Sequence, residues 1–475
     1  MTMITLNHIL SALTNFKGVA SDITLSSVSI DSRRVIPGAL FIALPGEKVN
    51  GHQFVADAFQ HGALVALIQE NIPNKYPVVN LEEITPMGGY LFPQTPFCLL
   101  VKDSLKAMQI CAKYWRGQLT VEVIGITGSV GKSTTKELVA EVLSQKYRTY
   151  KNPGNYNNEV GLPLSVLNLG SGYEKAVLEM GFYYPGEISF LCDIALPRIG
   201  IVTNIGTVHA ERAGSKEEIA KGKSELVQAL PPAPEGVAIL NFDDPFVLSM
   251  SEKTNARVFT YGLDPKADLW ADQFKGKGLH GIDFHMHYQD KEHFIHTSLY
   301  GKHSVLTCLR AAAAGIVEGL TIEQIVAGLQ NGQSQLRMVA RQTSMGALIL
   351  DDSYNASPES TIAALDLLEE IEGRHIAILG DMLELGPYEL SGHERVGNYA
   401  AHLVDQLIAV GPRSKALADS ALRAGLPASS ILWVETSQQA AEPLRKLLKK
   451  GDVALIKGSH GMRMDRIISA IEEIE

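Results

Sequence analysis

Three textures of hydrophobic and polar positions follow one another along the chain. In the first, short apolar runs alternate with turn signals, as in Val35-Ile36-Pro37-Gly38-Ala39-Leu40-Phe41-Ile42-Ala43-Leu44-Pro45-Gly46, which reads as α/β without resolved elements. The second opens near Thr120. Val121–Ile126 predicts a buried strand, a glycine-rich turn follows, and Leu138, Val139, Val142 and Leu143 recur at helical spacing. Further strands are predicted at Ala176–Met180, Ile199–Val202 and Val237–Leu240, each ending in a turn or polar residues, where an open α/β sheet places its ligand contacts. From about Gly346 the alternation becomes regular, with strands at Ala347–Leu350, Ile376–Leu379, Leu407–Val410, Ile431–Val434 and Val453–Ile456 separated by helical patterns. That last texture predicts a doubly wound domain of its own, with Asn331-Gly332-Gln333-Ser334-Gln335 as the hinge before it. The expected division is 1–117, 118–333 and 334–475.

A length of 475 residues agrees with three domains. Hydrophobic residues at 45% and charged residues at 20% are globular proportions and exclude a disordered tail or a coiled coil. A net charge of −10 disfavours general attraction to nucleic acid or an anionic membrane, so any phosphate site must be local. Cys98, Cys111, Cys192 and Cys308 lack the close pairing of a zinc ribbon or redox motif, and reduced thiols are expected. The amino end lacks the basic start and apolar core of a signal peptide. No stretch approaches the ~18 apolar residues of a membrane span. A soluble, cytoplasmic, monomeric protein is expected.

The sharpest chemical signal is Gly125-Ile126-Thr127-Gly128-Ser129-Val130-Gly131-Lys132-Ser133-Thr134 between the predicted strand and helix. Glycines let backbone N–H groups turn toward phosphate oxygens, Lys132 offsets phosphate charge, and the Ser133 hydroxyl suits Mg²⁺. It is a variant P-loop, since the strict pattern wants glycine where Ile126 stands. Glu179 ends an apolar run; such a carboxylate needs either a metal or an ion-pair partner, and the residues alone leave both open. His209, after Thr203-Asn204-Ile205-Gly206-Thr207, reads by itself as a surface histidine, and Lys223 as a lysine on a polar helix. Three polar loops follow strands of the last domain: Asp351–Pro358, Gly380–Gly386 and Lys457–Gly461. One such loop is ordinary turn chemistry; three at strand ends describe a binding edge.

The loop Thr127–Thr134, the Asn152–Pro163 segment, Thr203-Asn204-Ile205-Gly206 with His209, and Asn241-Phe242-Asp243-Asp244-Pro245 resemble the Mur ligases. Asp352–Pro358, Leu379–Gly386 and Lys457-Gly458-Ser459 are similar to the members that join D-alanyl-D-alanine to UDP-N-acetylmuramoyl-tripeptide, and Asp31–Gly38 with Asn50-Gly51-His52 to the family's uridine-nucleotide domain. The resemblance implies an α/β protein of three domains: a small N-terminal uridine-nucleotide domain, a central P-loop ATPase domain and a C-terminal Rossmann-like domain. It implies an ATP-dependent amide-bond ligase of cytoplasmic peptidoglycan precursor synthesis, acting through an acyl phosphate.

Carried over by position, Thr127, Gly128, Ser129, Val130, Gly131, Lys132 and Ser133 hold the ATP phosphates, and Ser133 and Glu179 ligate Mg²⁺. His209 binds near a second Mg²⁺, and Lys223 is the lysine carbamylated by CO₂. Asn241 lies toward adenine, while Arg337 and Asp352 reach across to phosphate and ribose. Ser32, Arg33, Asn50, His52, Asn155, Asn157, Asn158 and Asn355 fall at substrate-binding positions. Ser304 and Thr307 stand where the family pattern has asparagines, and His460 where it has arginine. The first pair bears on interdomain or nucleotide-proximal hydrogen bonds and the last on the incoming acceptor. The alternatives are a folylpolyglutamate-like or cyanophycin-like ligase of the same superfamily, against which the motif at Ser32 and Arg33 argues, or a P-loop nucleotide switch, which would hydrolyse nucleotide without a second substrate.

Overall fold

A computed structural model of the chain describes residues 3–14, 16, 23–46, 49–72, 75–84, 92–207, 210–331 and 338–472. They form an α/β protein built on three sheets. In the first, strands Val28–Ser29, Leu40–Ile42, Val65–Ile68, Phe97–Leu100 and Val78–Asn80 lie side by side in that order, all parallel. Their apolar runs are continuous because both faces are covered. Leu40, Ile42, Val65 and Leu67 enter one core, and Phe41, Ala66 and Ile68 enter another on the opposite face.

The central sheet has nine strands. Glu122–Thr127 lies at its heart, between Lys175–Glu179 on one side and Ile199–Val202 on the other. The chain leaves the middle strand in one direction and later returns to its other flank, which makes a switch point at the carboxyl ends of these three strands. Val237–Asn241 and Arg257–Gly262 continue the parallel array, and Leu269–Gly276, Ile282–Tyr288 and Lys291–Thr297 extend it. The last two join antiparallel. These outer strands were not among those predicted, although the apolar residues Ile282, Phe284 and Met286 recur at every second position and are fully buried, the two-residue period of a strand.

The third sheet runs Val339–Gln342, Leu348–Asp352, Asp452–Lys457, Arg374–Gly380, Gln406–Val410 and Ile431–Val434, parallel except at its first pair. Each predicted strand of this region is present; Ile431–Val434 keeps its bounds, the first begins at Leu348 instead of Ala347, and the others run on by a residue or two at one or both ends. Gly332–Gln335 of the expected hinge lies outside the described residues. Position 117 falls directly after helix Ser104–Arg116. All four cysteines are free and buried, and burial pushes the Cys98, Cys192 and Cys308 thiols up to about 12. Among the described residues no helix is long and apolar enough to cross a membrane.

Candidate active site

The glycine-rich loop leaves the central strand and enters helix Lys132–Ser144, as its strand–turn–helix pattern requires. Gly128 has φ +146°, and a Cβ there would stand 1.8 Å from Thr203 Oγ1, so only glycine fits. Gly131, at φ +82°, turns the chain into the helix. The loop is tied to the neighbouring strand end. Ser129 N–H donates to the Asn204 carbonyl (3.0 Å), Val130 N–H to Asn204 Oδ1 (2.9 Å), and Thr203 Oγ1 to the Val130 carbonyl (2.7 Å). Two of the amides assigned to phosphate are therefore engaged by Asn204, which positions the loop. The signal for that role was an asparagine at the end of a buried strand.

Lys132 folds back over its own loop, donating to the carbonyls of Gly128 (2.8 Å) and Ser129 (3.3 Å). Lys223 reaches the same Gly128 carbonyl from helix Lys216–Gln228 at 3.0 Å. Contrary to the polar-helix expectation, Lys223 is fully buried, with Nζ over the Phe182 ring at 4.7 Å. Burial, then the nearby Lys132 charge, holds its pKa well below the usual lysine range. The amphipathic pattern concealed this because Ile219, Leu226 and Val227 sink the helix deeply beside it.

Glu179 is buried at the end of its strand. Its Oε2 accepts from Ser133 Oγ (2.7 Å) and its Oε1 from Asn157 Nδ2 (2.8 Å). Asn152 clamps the backbone, accepting from Glu179 N–H at 2.9 Å and donating to its carbonyl at 3.2 Å. Among the described residues no ion pair to Glu179 is present. Serine hydroxyl and carboxylate are hard oxygen donors, the class Mg²⁺ selects. Among the described residues no three His, Cys, Asp or Glu side chains gather, so a metal here would draw on the hydroxyl, phosphates and water as well. His209 and Arg337 lie outside the described residues.

Asn241 Nδ2 donates to the Thr203 carbonyl (3.3 Å), which places it beside the loop's anchor. Asn158 caps the start of helix Gly161–Leu167 through Gly161 N–H (2.9 Å), and Asn155 is exposed. In the first domain Ser32 is buried and Arg33 exposed, paired with Asp31. Asn50 Oδ1 accepts from His52 N–H and lies 2.7 Å from His52 Nδ1, while His52 Nε2 accepts from Gln69 N–H. Both ring nitrogens of His52 are thus engaged inside the domain, and burial lowers its pKa. Asn168 brackets Val28, donating to its carbonyl and accepting from its N–H, and Arg34 donates to the Tyr156 hydroxyl; these contacts hold the first domain against the Asn152–Pro163 segment and the end of the helix that follows it.

The three loops of the last sheet form one edge. Lys457 Nζ pairs with Asp352 Oδ2 (2.5 Å) and donates to the Asn355 carbonyl (2.9 Å); Leu383 N–H donates to Ser459 Oγ (2.9 Å) and Ser459 N–H to the Asp381 carbonyl (3.1 Å). His460 is exposed, its ring 6.0 Å from that of Tyr354. This edge meets the central domain, where Glu211 N–H donates to the Glu384 carbonyl (3.2 Å). Among the described residues Glu359 Oε2 is buried without a hydrogen-bond partner, and a Cβ on Gly206 would lie 3.4 Å from it.

Residues 24–84, 126–315 and 336–460 match, in turn, the Mur ligase family catalytic domain, the Mur ligase middle domain and the Mur ligase glutamate ligase domain. The chain belongs to the Mur ligase family. As a Mur ligase it is 33% identical to the UDP-N-acetylmuramoyl-tripeptide–D-alanyl-D-alanine ligase of Bacillus subtilis, over 94% of this chain and 93% of the relative. The enzyme of the same name from Escherichia coli K12 is 31% identical over 100% and 99%. The solved MurF of Acinetobacter baumannii superposes with a TM-score of 0.83 at 28% identity, covering 100% of this chain and 99% of that one. MurF of Thermotoga maritima, solved with ADP, gives 0.76 at 27% over 94% and 97%. A folylpolyglutamate synthase of Mycobacterium tuberculosis shares the fold at 15% identity.

Proposed function

We propose that this Mur ligase joins D-alanyl-D-alanine to UDP-N-acetylmuramoyl-tripeptide at the expense of ATP, in peptidoglycan precursor synthesis. The observation that supports the choice of substrates is the end-to-end similarity to relatives named for that ligation, first domain included. A carboxylate is a poor acyl donor because oxide is a poor leaving group. The tripeptide's terminal carboxylate attacks the γ-phosphorus of ATP and ADP departs. The dipeptide amine then attacks the acyl phosphate carbon, and inorganic phosphate leaves with the electrons of the broken C–O bond. Lys132 turns from its own loop carbonyls to the phosphates and offsets the charge that gathers when two anions meet.

Ser133 and Glu179 would hold Mg²⁺, with His209 and a carbamylated Lys223 completing a two-ion site, and the metal would screen the reacting anions. Lys223 suits that modification. Its amine lies in a dry pocket beside a second cation, which favours the neutral form with a free lone pair. Addition of CO₂ to that neutral amine forms the N–C bond, and loss of one proton leaves a carbamate anion facing Lys132. The first domain, through Ser32, Arg33, Asn50 and His52, takes the uridine nucleotide; Asn155, Asn157, Asn158 and Asn355 border the path of the peptidyl substrate. The three domains divide near residues 117 and 333, and the protein works as a cytoplasmic monomer.

The test is mass spectrometry of the product formed from ATP, Mg²⁺, UDP-N-acetylmuramoyl-tripeptide and D-alanyl-D-alanine. A UDP-muramoyl-pentapeptide is expected; its absence under conditions where a glutamate or aspartate acceptor reacts would overturn the substrate assignment.

A further inference from the structure

We infer that Arg310 is an additional nucleotide-positioning residue, its guanidinium held under the phosphate loop to meet the diphosphate of ADP or ATP. The inference rests on the nucleotide site described above and extends it to a residue on a different helix.

Arg310 interrupts the apolar run Cys308-Leu309-Arg310-Ala311-Ala312-Ala313-Ala314 of helix His303–Val317 and is 6% exposed. Nε donates to the Tyr261 hydroxyl (2.9 Å), and Nη1 to Thr135 Oγ1 (2.7 Å) and Thr307 Oγ1 (3.4 Å). Every one of these acceptors is neutral. Among the described residues no carboxylate pairs with Arg310, and Nη2 makes no hydrogen bond. A buried cation without a counter-anion is unfavourable, so the position calls for an anion from outside the chain.

The surroundings say which. A Cβ on Gly131 would lie 3.2 Å from Nη1, so the guanidinium borders the last glycine of the phosphate loop. Thr135 is one turn into the helix that the loop enters. Tyr261, which accepts from Nε, donates to the Thr203 carbonyl at 3.1 Å, the same oxygen that Asn241 contacts. Arg310 therefore sits between the phosphate loop and the strand end assigned to the adenine side, where a nucleotide's phosphate chain joins its nucleoside. Thr307, one of the two departures from the family's asparagines, supplies an acceptor that orients the fork. Guanidinium donors in a fixed plane suit phosphate oxygens.

The experiment is calorimetric titration of ADP with Mg²⁺ into the full-length wild type, Arg310→Met and Arg310→Lys, with thermal melting of each unliganded protein. Loss of charge-assisted bonds should raise the ADP Kd about tenfold or more for Arg310→Met and by less for Arg310→Lys. Met fills similar volume and removes an unpaired buried charge, so the unliganded melting temperature of Arg310→Met should hold or rise. Wild-type ADP affinity in Arg310→Met overturns the inference. A fall in unliganded stability with unchanged affinity in either variant also overturns it and makes Arg310 a packing residue. If Arg310→Met does not fold, Arg310→Lys decides by its Kd alone. Failure of the wild type to bind ADP would instead overturn the nucleotide site itself.

Discussion

Lys132 and Lys223, from two different helices, donate to one acceptor, the carbonyl oxygen of Gly128, at 2.8 and 3.0 Å. Two ammonium groups on one oxygen repel, and Lys223 is fully buried.

Unmodified Lys223 makes the fold sensitive to pH in a defined direction. Its folded pKa is depressed by burial and by Lys132, whereas the unfolded value is about 10.4. Between these, the unfolded chain binds the extra proton, so stability falls as pH drops from about 10 toward the depressed folded value. In CO₂-free buffer, Lys223→Met should gain melting temperature on wild type as pH is lowered through that window. Parallel curves would show that the buried amine carries no such penalty. In bicarbonate, Lys223→Ala and Lys223→Arg should both lose on the order of 100-fold or more of ligation rate. A small added carboxylate should restore part of the loss in the alanine variant only. Full activity of Lys223→Arg would rule out the carbamate.

Gly222 keeps the Lys223 pocket closed. A Cβ there would stand 2.1 Å from Phe182 Cε2, the ring over which Lys223 lies. In an open helix, Gly→Ala is favourable by about 1 kcal/mol. Here Gly222→Ala should lower both melting temperature and ligation rate, and Phe182→Leu in the same chain should recover part of the stability by making room. A stabilised, fully active Gly222→Ala would mean that the ring can move freely and does not seal the amine.

The parts of this site that depend on local chain geometry were legible in the residues. The strand, loop and helix around Lys132 and the regular alternation after Gly346 carry their periods openly, and the third sheet follows them strand for strand. Lys223 was not legible, because periodicity reports the average face of a helix and not how deeply its polar side is covered by a neighbour such as Phe182. Asn204 and Arg310 were missed for a related reason: their acceptors come from other segments, Ser129 and Val130 in one case and Tyr261 and Thr135 in the other. A charged residue within an apolar run was the available clue for Arg310, and the same clue had singled out Glu179. The strands between Arg257 and Thr297 show two-residue alternation, yet their outward positions hold paired His and Asp, such as His287–Asp272 and His296–Asp283. Those polar faces left the segment without an assigned strand.

Phosphate release should require both UDP-N-acetylmuramoyl-tripeptide and D-alanyl-D-alanine, because the γ-phosphate is transferred only to the tripeptide carboxylate and released only on amine attack. The attacking amine has a reference pKa of about 8 and reacts unprotonated, so the rate at subsaturating dipeptide should rise through neutral pH and level above it. Coupled assays of phosphate across pH 6 to 9 would check both points. Turnover at the same rate with ATP alone would point to a nucleotide switch.

The seam between the central and C-terminal domains runs through Gly386. It adopts φ +53°, and a Cβ there would lie 2.6 Å from Glu211 Cα, beside the Glu211–Glu384 backbone bond and the Arg212–Glu384 pair at 3.9 Å. An acyl phosphate survives only where water is kept out, and a closed seam between the two domains serves that end. Gly386→Ala should push that seam open. Small-angle scattering should then show a larger radius of gyration than wild type in the presence of ADP and UDP-substrate. Phosphate released per amide bond formed should rise above one, since some acyl phosphate would be lost to hydrolysis before the amine arrives. A variant that keeps both the wild-type scattering curve and a ratio of one would show that the Gly386 contact is incidental, and that the seal is made elsewhere along the seam, with Glu359 against Gly206 the next place to cut.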